Sequence, residues 1–177
     1  IAIGLFAIIV TIAVGGLARA LRSQRQVASL LAASSNVSLV LEQMAREIRT
    51  SSDFICDRLN PSQSCIGVSE VIFTNSSGEG VIYCLDSGAI KRGVEGGGLG
   101  INCGDPLDTG FEKITGDNVT VQYLNFLLLG NGNSSRGNPD LFPPRVTIAI
   151  GVSPKEVTVA DKVLSLQTTI SSRLIDE

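Results

Sequence analysis

The first eighteen residues constrain this chain more than any other stretch. The run IAIGLFAIIVTIAVGGLA carries no charged side chain, and its most polar group is the hydroxyl of Thr11. As a helix it would be about 27 Å long, close to the thickness of the hydrocarbon core of a bilayer. Residues 1–18 are therefore predicted to form a helix that is apolar on every side.

An amphipathic segment continues the same helix. Arg19, Arg22 and Arg25 end the apolar run, and apolar residues then recur mostly three, four or seven positions apart as far as Thr50. Such spacing places one apolar stripe along a helix. The stripe consists of Val27, Leu30, Val37, Leu41, Met44 and Ile48. We predict one helix over residues 1–52, with an apolar half (1–18) and an amphipathic half (19–52).

Three other interpretations of the apolar run are open. A cleaved secretory signal would carry basic residues before its apolar core and a small-residue cleavage site after it, whereas nothing basic precedes this run. A simple single-span anchor explains neither Gly4, Gly15 and Gly16 nor the uninterrupted amphipathic continuation. A helix buried in a soluble core is disfavoured, because such helices are rarely apolar on every face for this length.

Length and composition limit the remainder to one domain. The 177 residues, of which 44% are hydrophobic, leave about 120 for a globular part, assigned to residues 53–177. The net charge of -3 offers no basic face to nucleic acid, and only 5% of residues are aromatic, with no Trp. No nucleic-acid binding is predicted.

Four cysteines follow the helix, and no two are spaced as CxxC. With no His in the chain, common zinc ligand sets are missing. Two disulfides in an oxidising compartment explain them best, which places the globular part outside the cytosol. Of three possible pairings we favour Cys56 with Cys65 and Cys84 with Cys103, because each would fasten a loop. Buried free thiols are the alternative.

The arginines and the cysteines disagree about topology. By the positive-inside bias, Arg19, Arg22 and Arg25 would place the following domain in the cytoplasm, whereas the cysteines place it outside. Since Ile1 is not Met, we expect a processed or incomplete chain. A basic leader upstream would have set the orientation before its removal.

An antiparallel sheet is predicted after the helix. A connecting segment runs to Gly67, and seven runs with strand patterning follow. They are Glu70–Thr74, Val81–Asp86, Ala89–Arg92, Phe111–Ile114, Val119–Leu129, Arg145–Val152 and Val163–Ile170. Ser153 and Pro154 are expected to end the sixth run. The fold class is α+β, with the stripe residues Val37, Leu41, Met44 and Ile48 packed on an antiparallel sheet of five to seven strands.

The loops carry little chemistry. The stretch GVEGGGLGINCGDPLDTG lacks the order of a phosphate-binding loop and is predicted to be a surface loop. Asp105 and Asp108 would suit a calcium ion, although a solvated turn is favoured. N-x-[ST] sequons begin at Asn36, Asn75, Asn118 and Asn133, and glycosylation is left open. Without His, and with its cysteines in bridges, the chain is not expected to be an enzyme or to hold a metal or cofactor.

Several stretches resemble one family. IAIGLFAIIVTIAVGG is similar to the interior of the N-terminal helix of type IV pilins and pseudopilins, whose precursors carry a short basic leader and then FTLIE(x)L. LEQMAREIRTSSDF (residues 41–54) resembles the end of that helix in minor pilins and pseudopilins, and the run from PRVTIAIGVSP to LSLQTTISSRLID resembles their last strands. The resemblance implies that about seven mature residues, including the family's glutamate and N-methylated first residue, precede Ile1.

The resemblance implies a pilin-like subunit of an extracellular filament. Its helix would be held in the inner membrane, would be handled by pilus or secretion assembly machinery, and would then pack against copies of itself. The residues expected in helix–helix contacts are Ile3, Leu5, Phe6, Ile9, Ile12, Gly15 and Gly16. The adjacent glycines cost a helix about 2 kcal/mol relative to alanine, so they mark either a segment that unwinds on assembly or a site of close helix packing.

Two other functions stay open. One is a minor pseudopilin at the tip of a short fibre in a type II secretion or DNA-uptake machine. The other is a membrane-anchored extracytoplasmic binding domain whose Asn-rich and Gly-rich loops contact a ligand.

Overall fold

A single long helix precedes nine strands. The computed structural model describes residues 2–56, 65–95, 103, 110–130, 143–156 and 159–173. The helix α1 covers Ala2–Arg49. The strands are β1 (Ser52–Ile55), β2 (Cys65–Val68), β3 (Glu70–Thr74), β4 (Gly80–Asp86), β5 (Ala89–Glu95), β6 (Phe111–Lys113), β7 (Val119–Leu129), β8 (Arg145–Pro154) and β9 (Leu164–Ser171). The α+β class predicted from the sequence is confirmed.

The strands form two antiparallel sheets rather than the one that was predicted. Five strands are ordered β1-β3-β4-β5-β6, and four are ordered β2-β7-β8-β9. The two sheets meet where β7 contacts β3, β4 and β5. The expectation of one sheet of five to seven strands was wrong, because the alternation of a strand shows its two faces but not its neighbours.

The segment between helix and sheet contains two strands that were interpreted as a connection. β1 begins three residues after α1 ends and pairs with β3, whereas β2 pairs with β7 in the other sheet. Both are four residues long and both pairings shift register, so neither shows a sustained alternation in the sequence. The end of β8 was also placed too early, because Ser153 and Pro154 continue its pairing with β7.

A tight hairpin connects β4 to β5 in the five-stranded sheet. Asp86 pairs with Ala89, which leaves Ser87 and Gly88 as a two-residue turn with φ of 50° and 71°. Positive φ at both central positions fits the twist of a hairpin, and glycine adopts it at no steric cost. The meander predicted for these strands is present.

One apolar core lies between the helix and the two sheets. It takes alternate side chains of β7 and β8, with Val71 and Phe73 of β3 and Val81 and Tyr83 of β4. A smaller cluster of Ile55, Ile72 and Ile82 lies apart from it. The largest fully buried side chains of the main core include Phe54, Phe73, Tyr83, Phe126 and Met44. The helix lies over β8 and β9 and contributes Ala33, Val37, Val40, Leu41, Met44 and Ile48 to the buried set.

The contact between helix and sheets begins later than the sequence pattern predicted. Val27 is 52% exposed, although it starts the apolar stripe. Leu30 is half-buried, and full burial begins at Ala33. The periodicity was correct, but it cannot show where along a helix the partner surface starts.

Candidate assembly surface and its connection to the sheets

The first half of α1 lies free of the rest of the chain. Every residue from Ala2 to Arg25 is exposed. Its large apolar side chains keep between 40% and 84% of their surface accessible. We call this set the apolar surface, and it consists of Ile3, Leu5, Phe6, Ile8, Ile9, Val10, Ile12, Val14, Leu17 and Leu21. By length and composition this helix could cross a membrane.

The seven residues predicted for helix–helix contacts all lie in this exposed half. Ile3, Leu5, Phe6, Ile9 and Ile12 belong to the apolar surface. A Cβ added at Gly15 or Gly16 would meet nothing within 4 Å, so neither glycine is required by a contact within the chain. The helix is continuous through both. Unwinding on assembly therefore stays a prediction about the assembled state.

The three arginines form a basic collar at the end of the apolar surface. Arg19, Arg22 and Arg25 are exposed, and among the residues that the structure describes none of them has an ion-pair partner. Arg22 and Arg25 line an open groove with Gln26 and Glu156, where the helix separates from the end of β8. The collar thus lies on the side of the apolar segment that carries the sheets.

A polar cluster joins the second half of α1 to the five-stranded sheet. Tyr83 on β4 and Arg92 on β5 lie directly opposite each other. Both donate hydrogen bonds to the carboxylate of Glu47 on α1, with Arg92 Nε 3.2 Å from Oε1 and 3.1 Å from Oε2. The three side chains connect the helix to two adjacent strands.

Burial and hydrogen bonding set the ionisation of this cluster. Burial works against the charge on Glu47, but the hydrogen bonds from Arg92 and Tyr83 outweigh it and lower the pKa below its ordinary 4.5. Burial of Tyr83, followed by its bond to Glu47, raises the phenol pKa well above its ordinary 10.0. Glu47 is therefore ionised and Tyr83 protonated at neutral pH.

A second connection joins the middle of α1 to the loop before β7. The Asn36 side chain accepts a hydrogen bond from the backbone N–H of Gly116 at 3.1 Å and donates to Asn118 Oδ1 at 3.4 Å. A Cβ at Gly116 would collide with the Asn36 amide. The glycine thus allows the close approach of helix and loop.

The end of the helix is fastened to the end of β9. The carbonyl of Arg49, left without an intrahelical partner, accepts the N–H of Arg173 at 3.0 Å. The buried Ser172 hydroxyl donates to the carbonyl of Ser51 at 2.8 Å. These bonds, with those of Glu47 and Asn36, fix the second half of α1 at three levels along its length.

The cysteines are paired as the sequence analysis favoured. Cys56 bonds to Cys65, and Cys84 bonds to Cys103. Cys56 follows β1 in one sheet and Cys65 begins β2 in the other, so the first bridge joins the two sheets. Cys84 lies in β4 at the centre of the five-stranded sheet.

Other sites considered from the sequence receive no added support. Within the described ranges no three His, Cys, Asp or Glu residues are grouped as metal ligands. The calcium prediction for Asp105 and Asp108 lies outside the described residues. Three sequon asparagines have engaged side chains: Asn36 and Asn118 bond to each other, and Asn75 caps its own turn through Ser77 and Glu79. Asn133 lies outside the described residues.

The sequence predicted the apolar surface but not the polar connections. An apolar run is a property of consecutive residues, so it can be read locally. Glu47 follows the stripe residue Met44 by three positions, which places it beside the stripe. That position is the only sequence feature that could have indicated a contact between Glu47 and the sheets. Nothing in the sequence paired Asn36 with Gly116.

Comparison with known proteins does not assign a family. No protein-family model matches the chain, and neither a curated protein nor a solved structure matches it. The long apolar N-terminal helix packed on antiparallel sheets, with disulfides, is compatible with a pilin-like fold.

Proposed function

We propose that this chain is a filament subunit that is anchored in the membrane by the first half of α1 and polymerises through the same surface. The observation that carries the proposal is the contrast within one helix. Residues 2–25 are exposed throughout, whereas six residues of the second half are buried against the sheets. The resemblance of both ends of the chain to type IV pilins and pseudopilins points to the same function.

The apolar surface requires a partner on energetic grounds. Burying one fully exposed large apolar side chain is worth about 1.5–3 kcal/mol, so the ten partly exposed side chains of this surface represent on the order of 10 kcal/mol or more. A monomeric soluble protein rarely leaves such a patch in water. Lipid satisfies it before assembly, and neighbouring helices satisfy it afterwards with little change in apolar burial.

The connections between helix and sheets support assembly rather than simple anchoring. A tether needs no fixed angle to its domain, yet this helix is held by Glu47, by Asn36 and by the bonds at Arg49. The exposed part of the helix, residues 2–25, is about 36 Å long. A rigid joint of this kind would orient every sheet domain identically when the helices pack side by side.

The experiment compares surface material sheared from cells that produce three forms of the chain. These are the wild type, a Gly16→Leu variant, and a form in which residues 2–18 are replaced by a generic apolar span before the native arginines. We expect thin uniform fibres containing the protein only from the wild type, examined by negative-stain microscopy. Gly16→Leu should leave the thermal unfolding of the sheet domain unchanged, because a side chain there meets nothing in the chain.

Membrane fractionation of the same cells separates assembly from anchoring. All three forms should be found in the membrane, since each keeps an apolar span. Fibres formed equally by the helix-swapped form, or a wild-type chain that stays monomeric, would contradict the filament proposal. The second of these results would favour the anchored binding domain. Fibres with the protein only at their tips would favour the minor pseudopilin.

A further inference from the structure

One part of the outer face of the four-stranded sheet is an uncharged polar surface that the filament proposal does not use, and Leu129 and Arg145 lie at the far end of the same face. Pairing places Tyr123, Gly151 and Ser165 in one row across β7, β8 and β9. Asn125, Ala149 and Gln167 form the next row. The small residues lie on the central strand, so the two rows form a shallow trough between taller side chains. We call these six residues the sheet-face trough.

The aromatic ring of Tyr123 lies across the central strand at one end of the trough. A Cβ at Gly151 would collide with the ring of Tyr123, so the ring covers the backbone of the glycine. The Tyr123 hydroxyl donates to Ser165 Oγ at 2.8 Å, which fixes the ring across the central strand. Tyr123 is half-buried, so part of its ring surface stays accessible. The ring is held in place by the sheet and is available for stacking.

Amide and hydroxyl groups continue from the Tyr123 ring. Asn125 and Gln167 are exposed on either side of Ala149. Each amide offers two donors and one acceptor to a ligand. Beyond them the hydroxyls of Thr147 and Thr169 bond to each other at 2.9 Å. The same row continues into Leu127 and the exposed Ile66, so the neutral hydrogen-bonding groups of the trough end at an apolar margin.

The trough has neither the charge of the basic collar nor the apolar content of the apolar surface. None of its six residues is Asp, Glu, Lys or Arg, although these types make up 18% of the chain. Tyr123 is its only large apolar group, so covering it with another protein would gain little hydrophobic energy. A charged ligand would find no counter-ion there. The ligand that fits is neutral, rich in hydroxyl groups and flat enough to stack on a ring.

The position of the trough points to a ligand from the medium. The helix packs on the inner face of β8 and β9, where Ile148, Ile150 and Ile170 are buried. Side chains alternate across a strand, so the trough faces away from the helix. If the helices form the core of a filament, which rests on the proposed function, the trough faces outward. We propose that it binds neutral polysaccharide chains through stacking on Tyr123 and hydrogen bonds to Asn125 and Gln167.

The test measures retention of the full chain on neutral polysaccharide. The protein is held in a detergent without a sugar headgroup and is mixed with cellulose, chitin, cross-linked dextran or carboxymethyl-dextran particles. We expect retention on at least one neutral material. Tyr123→Ala, and separately the double variant Asn125→Ala with Gln167→Ala, should weaken it by about tenfold, the loss expected for one stacking contact or two exposed hydrogen bonds.

Two controls separate recognition from folding. Tyr123→Phe keeps the ring and should bind within about threefold of the wild type, because only the hydroxyl contact to Ser165 is lost. Glu112→Ala, exposed on β6 of the other sheet, should have no effect. Circular dichroism melts verify that each variant is folded. Should Tyr123→Ala unfold, the exposed amide variant still provides the test.

Three outcomes would overturn the inference: no retention on any neutral material, retention on carboxymethyl-dextran alone, or equal retention of the amide variant and the wild type. The filament proposal is judged separately by microscopy. Fibres without polysaccharide binding would contradict the sheet-face inference alone. Binding by a chain that makes no fibres would contradict the filament proposal alone.

Discussion

Glu47 shows how one residue joins the two parts of the molecule. Its side chain is 25% exposed and that of Arg92 is 21% exposed. A pair this sheltered from water is worth more than a surface ion pair, and the buried Tyr83 hydroxyl depends on the same carboxylate. The loss of Glu47 would leave both donors without their acceptor.

Replacing Glu47 should weaken the joint between helix and sheet. We expect Glu47→Gln to lower the free energy of unfolding by about 1.5–3 kcal/mol at neutral pH, because the charged acceptor of the hydrogen bonds from Tyr83 and Arg92 is lost. Chemical denaturation in detergent micelles measures the change. Glu42→Gln is the matched control on the same helix. Its partner Arg46 is 80% exposed, so the change should stay within about 0.5 kcal/mol.

The difference in stability between the wild type and Glu47→Gln should also depend on pH. The pKa of Glu47 in the folded chain lies below its ordinary 4.5, so the unfolded chain binds the proton more readily. Its stabilisation is present above pH 4.5 and is lost as the pH falls through the lower folded value. The difference between wild type and Glu47→Gln should therefore shrink on acidification below pH 4.5. A difference that stays constant or grows would contradict this assignment.

The stripe of α1 offers a second comparison between residues. Met44 is fully buried, whereas Leu39 is 65% exposed on the same helix. Met44→Ala should destabilise the fold by about 2–5 kcal/mol because it removes core atoms and leaves a cavity. Leu39→Ala should change stability by no more than about 0.5 kcal/mol. Equal losses, measured by thermal unfolding, would mean that the helix is not packed on the sheets in this orientation.

At the scale of elements, local patterns predicted most of the strands but not their partners. β3 and β7 were placed at their exact bounds, since each lies between clear turn signals. The short strands β1 and β2 were missed because their identity depends on distant partners in different sheets. The division into two sheets is likewise a product of long-range pairing, which no local periodicity encodes.

The bridge between Cys56 and Cys65 is the only disulfide that joins the two sheets within the described residues. We expect Cys56→Ser with Cys65→Ser to reduce the free energy of unfolding by about 2–3 kcal/mol, because a short loop gains freedom in the unfolded chain. The matched variant, Cys84→Ser with Cys103→Ser, should lose at least as much, because its bridge closes a longer loop of sequence separation 19 against 9. Unchanged melting of either variant would show that its bridge does not stabilise the fold.

At the scale of the whole molecule, one helix divides the chain into an apolar surface and a rigid joint. The apolar surface was predictable from eighteen consecutive residues. The joint and the sheet-face trough were not, because each brings together residues far apart in the chain, such as Ser51 and Ser172 at a separation of 121 and Tyr123 and Ser165 at 42. Together they suggest a subunit that packs by its helix and presents a polar face of a sheet outward.

The most direct measurement is a helical reconstruction by electron microscopy of fibres purified from cells that produce the wild-type chain. We expect a core of closely packed helices formed by residues 2–25, with the two sheets outside and the trough of β7, β8 and β9 facing the medium. A core built from the sheets, or fibres in which this chain is not the repeating subunit, would contradict it.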